Sequence, residues 1–382
     1  MESIPTVTLP ELGAGRPPYF PALTGIRAIA ALMVFFTHAN PFEDHKLTQK
    51  WAYVFVHQGH FGVPIFFVLS GFLIATRYIG RIKPTYQWWR KYMQNRVARI
   101  YPLYFLLTAF TFLVYEVNSS YDFLSLWSTY KIINKIVIGV LNFTFLRGFF
   151  ANYFFSGISQ GWSLTAEETF YVLAPVILLS VAGRYWRLLL WVVGLLGTGL
   201  LLVVIFSPLS RPLRGLFGSV EFMFQWTFFG HVLEFALGIG LAMFAAREKR
   251  TSRPGVWATY GGLLWIVSCA AFVATMELWP ALISAEHLKV LTINFLLPPG
   301  IGLLFYGLLR ESTAVRRVLE TKTFDLLGRS SYAFYLLHLG VLSVLLFKLR
   351  SPILVNLVVT TLLSIVLFKL VEEPLHRRIR AW

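Results

Sequence analysis

The chain has 382 residues, of which 57% are apolar and only 14% are charged, and its mean hydropathy is +0.65. This composition excludes an ordinary soluble globular protein and indicates a polytopic membrane protein. The formal net charge of +16 does not predict a nucleic-acid partner, because the basic residues form short clusters between apolar runs, where membrane topology places them. The single cysteine, Cys269, lies inside an apolar run and predicts neither an intramolecular disulfide nor a metal site.

Two polar residues interrupt the first long apolar run, residues 23–40. Arg27 and His38 are eleven residues apart, so on a helix they share one face and lie about 16 Å apart along its axis. A charged side chain in a membrane span usually faces a bundle interior or a wet cavity and marks function. The alternative is that Arg27 extends to the lipid headgroups and His38 merely ends the helix. Residues 1–22 lack a signal-peptide cleavage pattern, so we expect them to form a cytoplasmic tail.

Ten apolar runs are long enough, or nearly long enough, to cross a membrane as helices. They lie at 23–40, 61–79, 101–117, 169–183, 188–206, 229–246, 257–275, 289–309, 331–347 and 353–371. The sequence therefore predicts an all-α, polytopic transmembrane helix bundle of about ten spans. Its membrane domain covers 23–371, and a basic cytoplasmic tail follows at 372–382.

An eleventh run, residues 132–150, is interrupted by polar and basic side chains. If it crossed the membrane, the basic clusters at 247–253, 310–322 and 377–380 would lie outside, against the positive-inside rule. We therefore expect 132–150 to be a re-entrant or interfacial segment, and both termini to be cytoplasmic. With this topology most of the 34 lysines and arginines lie on the inner side.

Polar residues in the second and third spans allow two interpretations each. Ser70-Gly71 lies in an apolar span and favours close helix packing over a serine nucleophile, because no GxSxG elbow surrounds it. Arg96 and Arg99 are three residues apart and share a helical face, so their guanidinium groups could hold a phosphate or pyrophosphate. The alternative is an ordinary anchor to anionic lipid.

The stretch GWSLTAEETFY opens the fourth span from the outer side. It can be explained as a helix start, with Ser163 or Thr165 as N-cap and two glutamates in the first turn. Functionally, Glu167 and Tyr171 are four residues apart and present a carboxylate and a phenol on one face. The predicted topology places Glu167 on the same side of the membrane as His38.

A second histidine, His338, lies well inside the ninth predicted span. An ionisable residue inside a membrane is a functional candidate by default, although a satisfied interhelical hydrogen bond would also explain it. His45, His57 and His60 near the first outer loop lack convincing ligand spacing, so we predict no metal site.

Six stretches together resemble the membrane-bound acyltransferase-3 family. They are LTGIRAIAA at 23–31 followed by His38, FFVLSGFLI at 66–74, RVARIYPLY at 96–104, WSLTAEETFY at 162–171, SYAFYLLH at 331–338 and VEEPLH at 371–376. The stretches occur in the family's order and extend from the first span to the last. No single stretch is specific, but the set is.

The resemblance implies an O-acyltransferase that moves an acyl group, most often acetyl, from cytoplasmic acyl-CoA to a hydroxyl of an envelope polysaccharide, glycolipid or small molecule. Acyl-CoA would then be the donor substrate, with no permanently bound cofactor. The expected partners are the lipid bilayer, the acceptor and glycan-assembly proteins. The expected location is the bacterial cytoplasmic (inner) membrane.

The resemblance also assigns roles to residues. His38 is the leading catalytic candidate and Arg27 is the family's preceding arginine. The pair Arg96 and Arg99 is implied to meet the CoA phosphates, and the glutamate and tyrosine of the WSL motif are Glu167 and Tyr171. We add His338 as a fourth catalytic candidate, and expect Glu167 to orient the His38 imidazole or polarise the acceptor.

Two other classes fit the composition. A transporter or flippase of lipid-linked glycans would also need many spans and buried polar residues, but internal symmetry between halves is not visible. A sensory or scaffold membrane protein could keep the fold without turnover. CoA release from labelled acetyl-CoA would distinguish an enzyme from both.

Overall fold

The computed structural model describes residues 19–44, 46, 48–122, 124–181, 183–247, 255–279 and 285–381. This part of the chain is helical apart from turns and one isolated β-bridge between Phe150 and Leu216. The predicted all-α fold is therefore confirmed. Most of the predicted tail 1–22 lies outside the described residues, as do His45 and the basic residues Arg16, Lys249, Arg250 and Arg253.

Seventeen α-helices form the described fold. They are α1 (Pro21–His38), α2 (Lys50–His57), α3 (Gly62–Tyr78), α4 (Tyr86–Val117), α5 (Ile132–Phe143), α6 (Trp162–Val181), α7 (Tyr185–Phe206), α8 (Val220–Trp226), α9 (Val232–Arg247), α10 (Trp257–Leu278), α11 (Ala285–Leu291), α12 (Leu297–Arg310), α13 (Ala314–Leu319), α14 (Lys322–Leu337), α15 (Val341–Lys348), α16 (Ile353–Leu367) and α17 (Glu373–Ala381). Two π-helical turns, Thr292–Leu296 and Phe368–Glu372, join α11 to α12 and α16 to α17.

By length and composition, 8 segments of the described chain could cross a membrane, or 9 if a bent helix pair counts as one span. These segments correspond to nine of the ten predicted runs. The remaining run, 229–246, contains α9, which has 16 residues and is about 24 Å long. The number of spans and the cytoplasmic placement of the termini stay predictions.

The local structure of three predicted segments is as follows. The 132–150 run contains α5, a helix of 12 residues, followed by a 3-10 turn at Arg147–Phe149. Residues 372–381, predicted as a tail, continue α16 through a π-helical turn into α17. The WSL stretch is not capped by Ser163 or Thr165, because α6 begins at Trp162, directly after a 3-10 turn.

The ninth predicted run is broken rather than continuous. Helices α14 and α15 meet at an angle of 60°. Gly340, at the break, has φ of 115°, a conformation that side chains rarely adopt. His338 is therefore the C-cap of α14 and lies at the break between the two halves of this run.

Glycines allow the central helices to cross in close contact. A Cβ atom on Gly238 of α9 would overlap the carbonyl oxygen of Val68 on α3, and one on Gly71 of α3 would overlap that of Phe235 on α9. The crossing of α14 with α1 is equally close, because a Cβ on Gly328 would overlap the carbonyl oxygen of Thr24. Small residues at such contacts are how membrane helices approach without a hydrophobic driving force.

The cytoplasmic end of α10, in the predicted topology, is capped by a carboxylate from another helix. Glu311 accepts hydrogen bonds from the backbone amides of Ala258 and Thr259 at 2.9 and 2.8 Å and from Thr259 Oγ1 at 2.7 Å. Burial alone would raise the pKa of Glu311, but the hydrogen bonds from Thr259 and Ala258 outweigh it and hold that pKa below its usual value.

We predict that Gly238→Ala lowers the stability of the folded protein by about 1–3 kcal/mol, because the added methyl meets backbone that has no room to move. Gly240→Ala is the matched control, since its Cβ would lie 3.6 Å from the flexible end of Leu188. Thermal unfolding of both variants in detergent measures the difference. Equal melting temperatures would show that the α3–α9 crossing is not tight.

We further predict that Glu311→Gln destabilises the protein by about 1–2 kcal/mol at neutral pH, because amide groups lose a charged acceptor. Since the folded-state pKa is lowered, the contribution of Glu311 is full above the ordinary carboxyl pKa of 4.5 and is lost as the pH falls through the folded value. The melting temperatures of the wild type and this variant should differ by a constant amount from pH 7 to pH 5 and should converge only as the pH falls below 4.5. Glu320→Gln, which removes a partly exposed pair with Arg316, should change stability little.

Candidate active site

An internal cavity of about 460 Å³ lies between α1, α3, α4, α6, α14 and the α16–α17 junction. Along α3 it extends from Val63 to Arg77, which is about 21 Å of helix. The cavity is therefore long enough to connect the two faces of the membrane domain over much of its thickness. Its polar side chains concentrate toward the Arg77 end, and Val63, Phe66 and Phe67 line the other.

Five arginines line this cavity, and three of them come from α1 and α4. Arg27 on α1 and Arg96 and Arg99 on α4 all line it, as the predicted shared face of the last two requires. Arg27 Nε donates to Ser331 Oγ on α14 at 3.2 Å, which fixes its side chain across the α1–α14 contact. The three cations lie in the half of the cavity that the predicted topology assigns to the cytoplasmic side.

Aromatic rings hold Arg96 in a buried position. Its side chain is only 8% exposed, and its guanidinium carbon lies 5.5 Å from the ring centre of Tyr171 and 5.9 Å from that of Tyr78. Such cation–π contacts stabilise a desolvated guanidinium without neutralising it. Arg96 Nε has no hydrogen-bond partner in the described part of the chain. The positive charge of Arg96 is therefore available to a ligand in the cavity.

A hydrogen-bonded cluster joins α3 to α6 in the middle of the cavity. Ser70 Oγ donates to Glu167 Oε1 at 2.8 Å, and Tyr171 OH donates to the same oxygen. Tyr92 OH on α4 donates to the Tyr171 carbonyl at 2.9 Å and ties the third helix to the pair. Since Glu167 and Tyr171 are four residues apart on α6, the predicted common face brings them together here.

The expected side for Glu167 was wrong. The carboxylate is bonded to Ser70 and Tyr171, beside Arg96, and no hydrogen bond links it to His38 among the described residues. The physical reason is that α6 begins seven residues earlier than the predicted span at 169, so Glu167 lies more than a turn inside the helix. Glu167 therefore belongs to the arginine part of the cavity and does not orient the His38 ring.

The two candidate histidines, from α1 and the α14 break, form a pair. The rings of His38 and His338 are 5.3 Å apart. Each Nδ1 donates to a backbone carbonyl, that of Val34 at 2.9 Å for His38 and that of Tyr335 at 2.7 Å for His338. These bonds fix the tautomer and leave each Nε2 as a proton acceptor. His38 is exposed at the end of α1, whereas His338 is 4% exposed and its Nε2 has no partner in the described chain.

One aromatic layer separates the cavity from the histidine pair. Tyr335 lines the cavity, and its ring centre lies 5.4 Å from that of His338 and 5.9 Å from that of Phe66. His38 itself is not a lining residue of the cavity. Arg27 therefore lies in the cavity, and His38 lies outside it, beyond the Tyr335 end.

The WSL stretch also stabilises the helix break that positions His338. Gln160 Nε2, two residues before this stretch, donates to the carbonyls of Tyr335, Leu336 and Leu339 at the end of α14, at 2.8, 2.8 and 3.3 Å. The hydroxyls of Ser163 and Tyr335 are 2.9 Å apart. Two stretches that are distant in sequence therefore build one structural unit.

Sequence reasoning missed two side chains of the site. Ser70 was interpreted as a packing residue, although it binds Glu167 in the cavity wall, and Glu372 was noted only within the VEEPLH stretch. Glu372 is 8% exposed and lines the cavity. For Ser70 the available signal was a polar residue within an apolar run, whereas Glu372 follows the tenth run directly and carries no such signal.

Comparison with known proteins agrees with the geometry. A family model described as "Acyltransferase domain" matches residues 20–370. "Putative O-acetyltransferase SACOL0978" of Staphylococcus aureus (strain COL) is 24% identical over 343 residues, covering 85% of this chain and 51% of that protein. "O-acetyltransferase OatA" of Staphylococcus aureus (strain NCTC 8325 / PS 47) is 21% identical over 385 residues, covering 95% of this chain and 58% of that protein.

The chain thus spans little more than half the length of these curated relatives. No solved structure matches it at a significant level. The family match covers nearly all of the described helices, from the start of α1 to the π-helical turn before α17. The chain belongs to the membrane-bound acyltransferase-3 family and carries its acyltransferase domain.

Proposed function

We propose that this protein is a membrane-embedded O-acyltransferase that moves an acetyl group from cytoplasmic acetyl-CoA to a hydroxyl of a cell-envelope polysaccharide, glycolipid or similar acceptor. The observation that carries the proposal is one cavity with three arginines in one half and a histidine pair beyond its other end. Relatives named as O-acetyltransferases support the acetyl group. The family match favours this function over the alternative of a transporter or flippase.

The arginine half of the cavity suits the anionic part of the donor. Guanidinium groups bind phosphate oxygens through charge-assisted, often bidentate hydrogen bonds. In the proposal, Arg96, Arg99 and Arg27 hold the CoA phosphates near the cytoplasmic face. The thin pantetheine arm then lies along α3, beside the cluster of Glu167, Tyr171 and Ser70, with the thioester toward Phe66.

The histidine pair suits the transfer step. In one route, His38 Nε2 takes the proton of the acceptor hydroxyl while the acceptor oxygen attacks the thioester carbonyl. The C–S bond then breaks and releases CoA thiolate. In the other, His38 Nε2 attacks first, releases CoA and passes the acyl group to the acceptor. His338 lies where its Nε2 can accept a hydrogen bond from the acceptor.

The proposed location is the cytoplasmic membrane of a bacterium, with the donor arriving from the inside and the acceptor from the outside. This arrangement follows from the predicted topology, which places Arg77 at the inner and His38 at the outer face. The acceptor would then be supplied by proteins that assemble envelope glycans. The lipid bilayer is a partner of the helix surfaces, where large apolar side chains are exposed.

We predict that His38→Ala lowers the rate of acetyl transfer by about 10²–10⁴-fold, because both routes require the imidazole. The assay reconstitutes purified protein in liposomes with labelled acetyl-CoA and a glycan acceptor extract. His57→Ala is the control, because His57 also lies at the predicted outer face but pairs with Glu277, with 3.6 Å between His57 Nδ1 and Glu277 Oε2. Transfer by the His38 variant at the wild-type rate would contradict both routes.

We predict that Arg99→Gln raises the KM for acetyl-CoA by about 10-fold or more while kcat changes less, because a lost phosphate contact weakens donor binding uniformly. Arg90→Gln removes an exposed arginine from the same helix and should leave KM unchanged. Steady-state kinetics with varied donor measure the effect. A change confined to the acceptor KM would place the donor phosphates elsewhere.

A further inference from the structure

The carboxylate of Glu372 is buried in the cavity wall, and one of its two oxygens forms no hydrogen bond with any described residue. Glu372 ends the π-helical turn Phe368–Glu372, and its side chain lines the cavity although the residue is only 8% exposed. Its Oε2 atom is buried and has no hydrogen-bond partner within the described residues. A buried acceptor in this state is costly and calls for a functional explanation.

The cations that act most strongly on Glu372 are Arg99 and Arg27. Both belong to the proposed phosphate site, and Arg27 in turn is influenced by Glu372 and Glu167. The cavity therefore sets the guanidinium groups of its arginines against the carboxylates of Glu167 and Glu372. An incoming phosphate gains from the arginines and is repelled by Glu372.

The neighbouring carboxylate behaves differently. Glu373 accepts hydrogen bonds from Arg329 and Arg377, each at 2.9 Å, and its charge is used by these two partners at the cavity mouth. Glu372, by contrast, lines the cavity with the arginines and forms no ion pair within 4.0 Å among the described residues. Glu373 also lines the cavity and neutralises Arg329 there, so a control for Glu372 has to lie outside the cavity.

We propose, on the basis of the function proposed above, that Glu372 sets the affinity of the cavity for the CoA phosphates low enough for free CoA to leave. Acyl-CoA and CoA carry the same phosphates, so an interaction with them changes the binding of substrate and product alike. Without Glu372, Arg27, Arg96 and Arg99 would hold free CoA as tightly as acyl-CoA. The carboxylate limits this affinity electrostatically and takes no part in the transfer of the acyl group.

The test measures CoA binding to the full-length purified protein in detergent by titration calorimetry at 150 mM salt. Glu372→Gln should bind CoA about 10-fold more tightly than the wild type, because removal of one nearby negative charge strengthens the arginine–phosphate attraction. In turnover assays the same variant should show a lower KM for acetyl-CoA and a lower kcat as CoA release slows. A residue with a merely structural role would not tighten binding when it is replaced.

Three further variants complete the design. Glu320→Gln and Glu372→Asp should bind CoA within about 2-fold of the wild type, since the first removes a charge that is paired with Arg316 and does not line the cavity, and the second keeps the charge. Glu372→Met is a second neutral variant in case the glutamine variant does not fold. Failure of both neutral variants to fold would overturn the proposal, because Glu372 would then be a structural residue.

The outcomes separate this inference from the proposed function. If the wild type does not bind CoA, the proposed donor is wrong. If the wild type binds CoA but Glu372→Gln binds it equally or more weakly, the donor stands and the role of Glu372 is overturned. Weaker binding would also indicate that the carboxylate accepts a hydrogen bond from the ligand.

Discussion

The placement of positive charge inside an apolar helix bundle, with Arg96 buried and Arg27 and Arg99 partly buried, is the constraint on which the rest of the site depends. Charges in such surroundings persist only beside polar partners or in a wet cavity. Here Arg96 lies under two aromatic rings, Arg27 is held by Ser331, and Glu167 and Glu372 moderate the local charge. The cavity and the helices that form it follow from this requirement.

The second requirement is a precise placement of His338 against His38 beyond the other end of the cavity. Irregular backbone provides this placement. Helix α14 stops at Leu337, and its free carbonyls are satisfied by Gln160 from a distant stretch. This break directs His338 toward His38, where two rings with defined tautomers meet. Non-helical backbone at membrane depth is tolerated because protein donors replace the lost helical bonds.

The sequence was informative about which segments form long apolar helices and less informative about how deep each polar side chain lies in the bundle. Apolar runs predicted nine segments with the length and composition of spans, and the spacing of Arg96 and Arg99 predicted a face that does line the cavity. The depth of Glu167 was mispredicted because hydropathy ignores the polar first turns of a helix, and α6 starts at Trp162. Ser70 was undervalued because its partner, Glu167, is 97 residues away.

Composition and hydropathy alone determined that this is an all-helical membrane protein, and six ordered stretches determined its family, because both properties are local along the chain. Tertiary structure alone decided that Glu167 sits with the arginines, that His38 and His338 form a pair, and that Glu372 faces Arg27 and Arg99. Such contacts join residues more than 300 positions apart. Helix crossings at glycine contacts and backbone breaks set them, and neither leaves a periodic signal in the sequence.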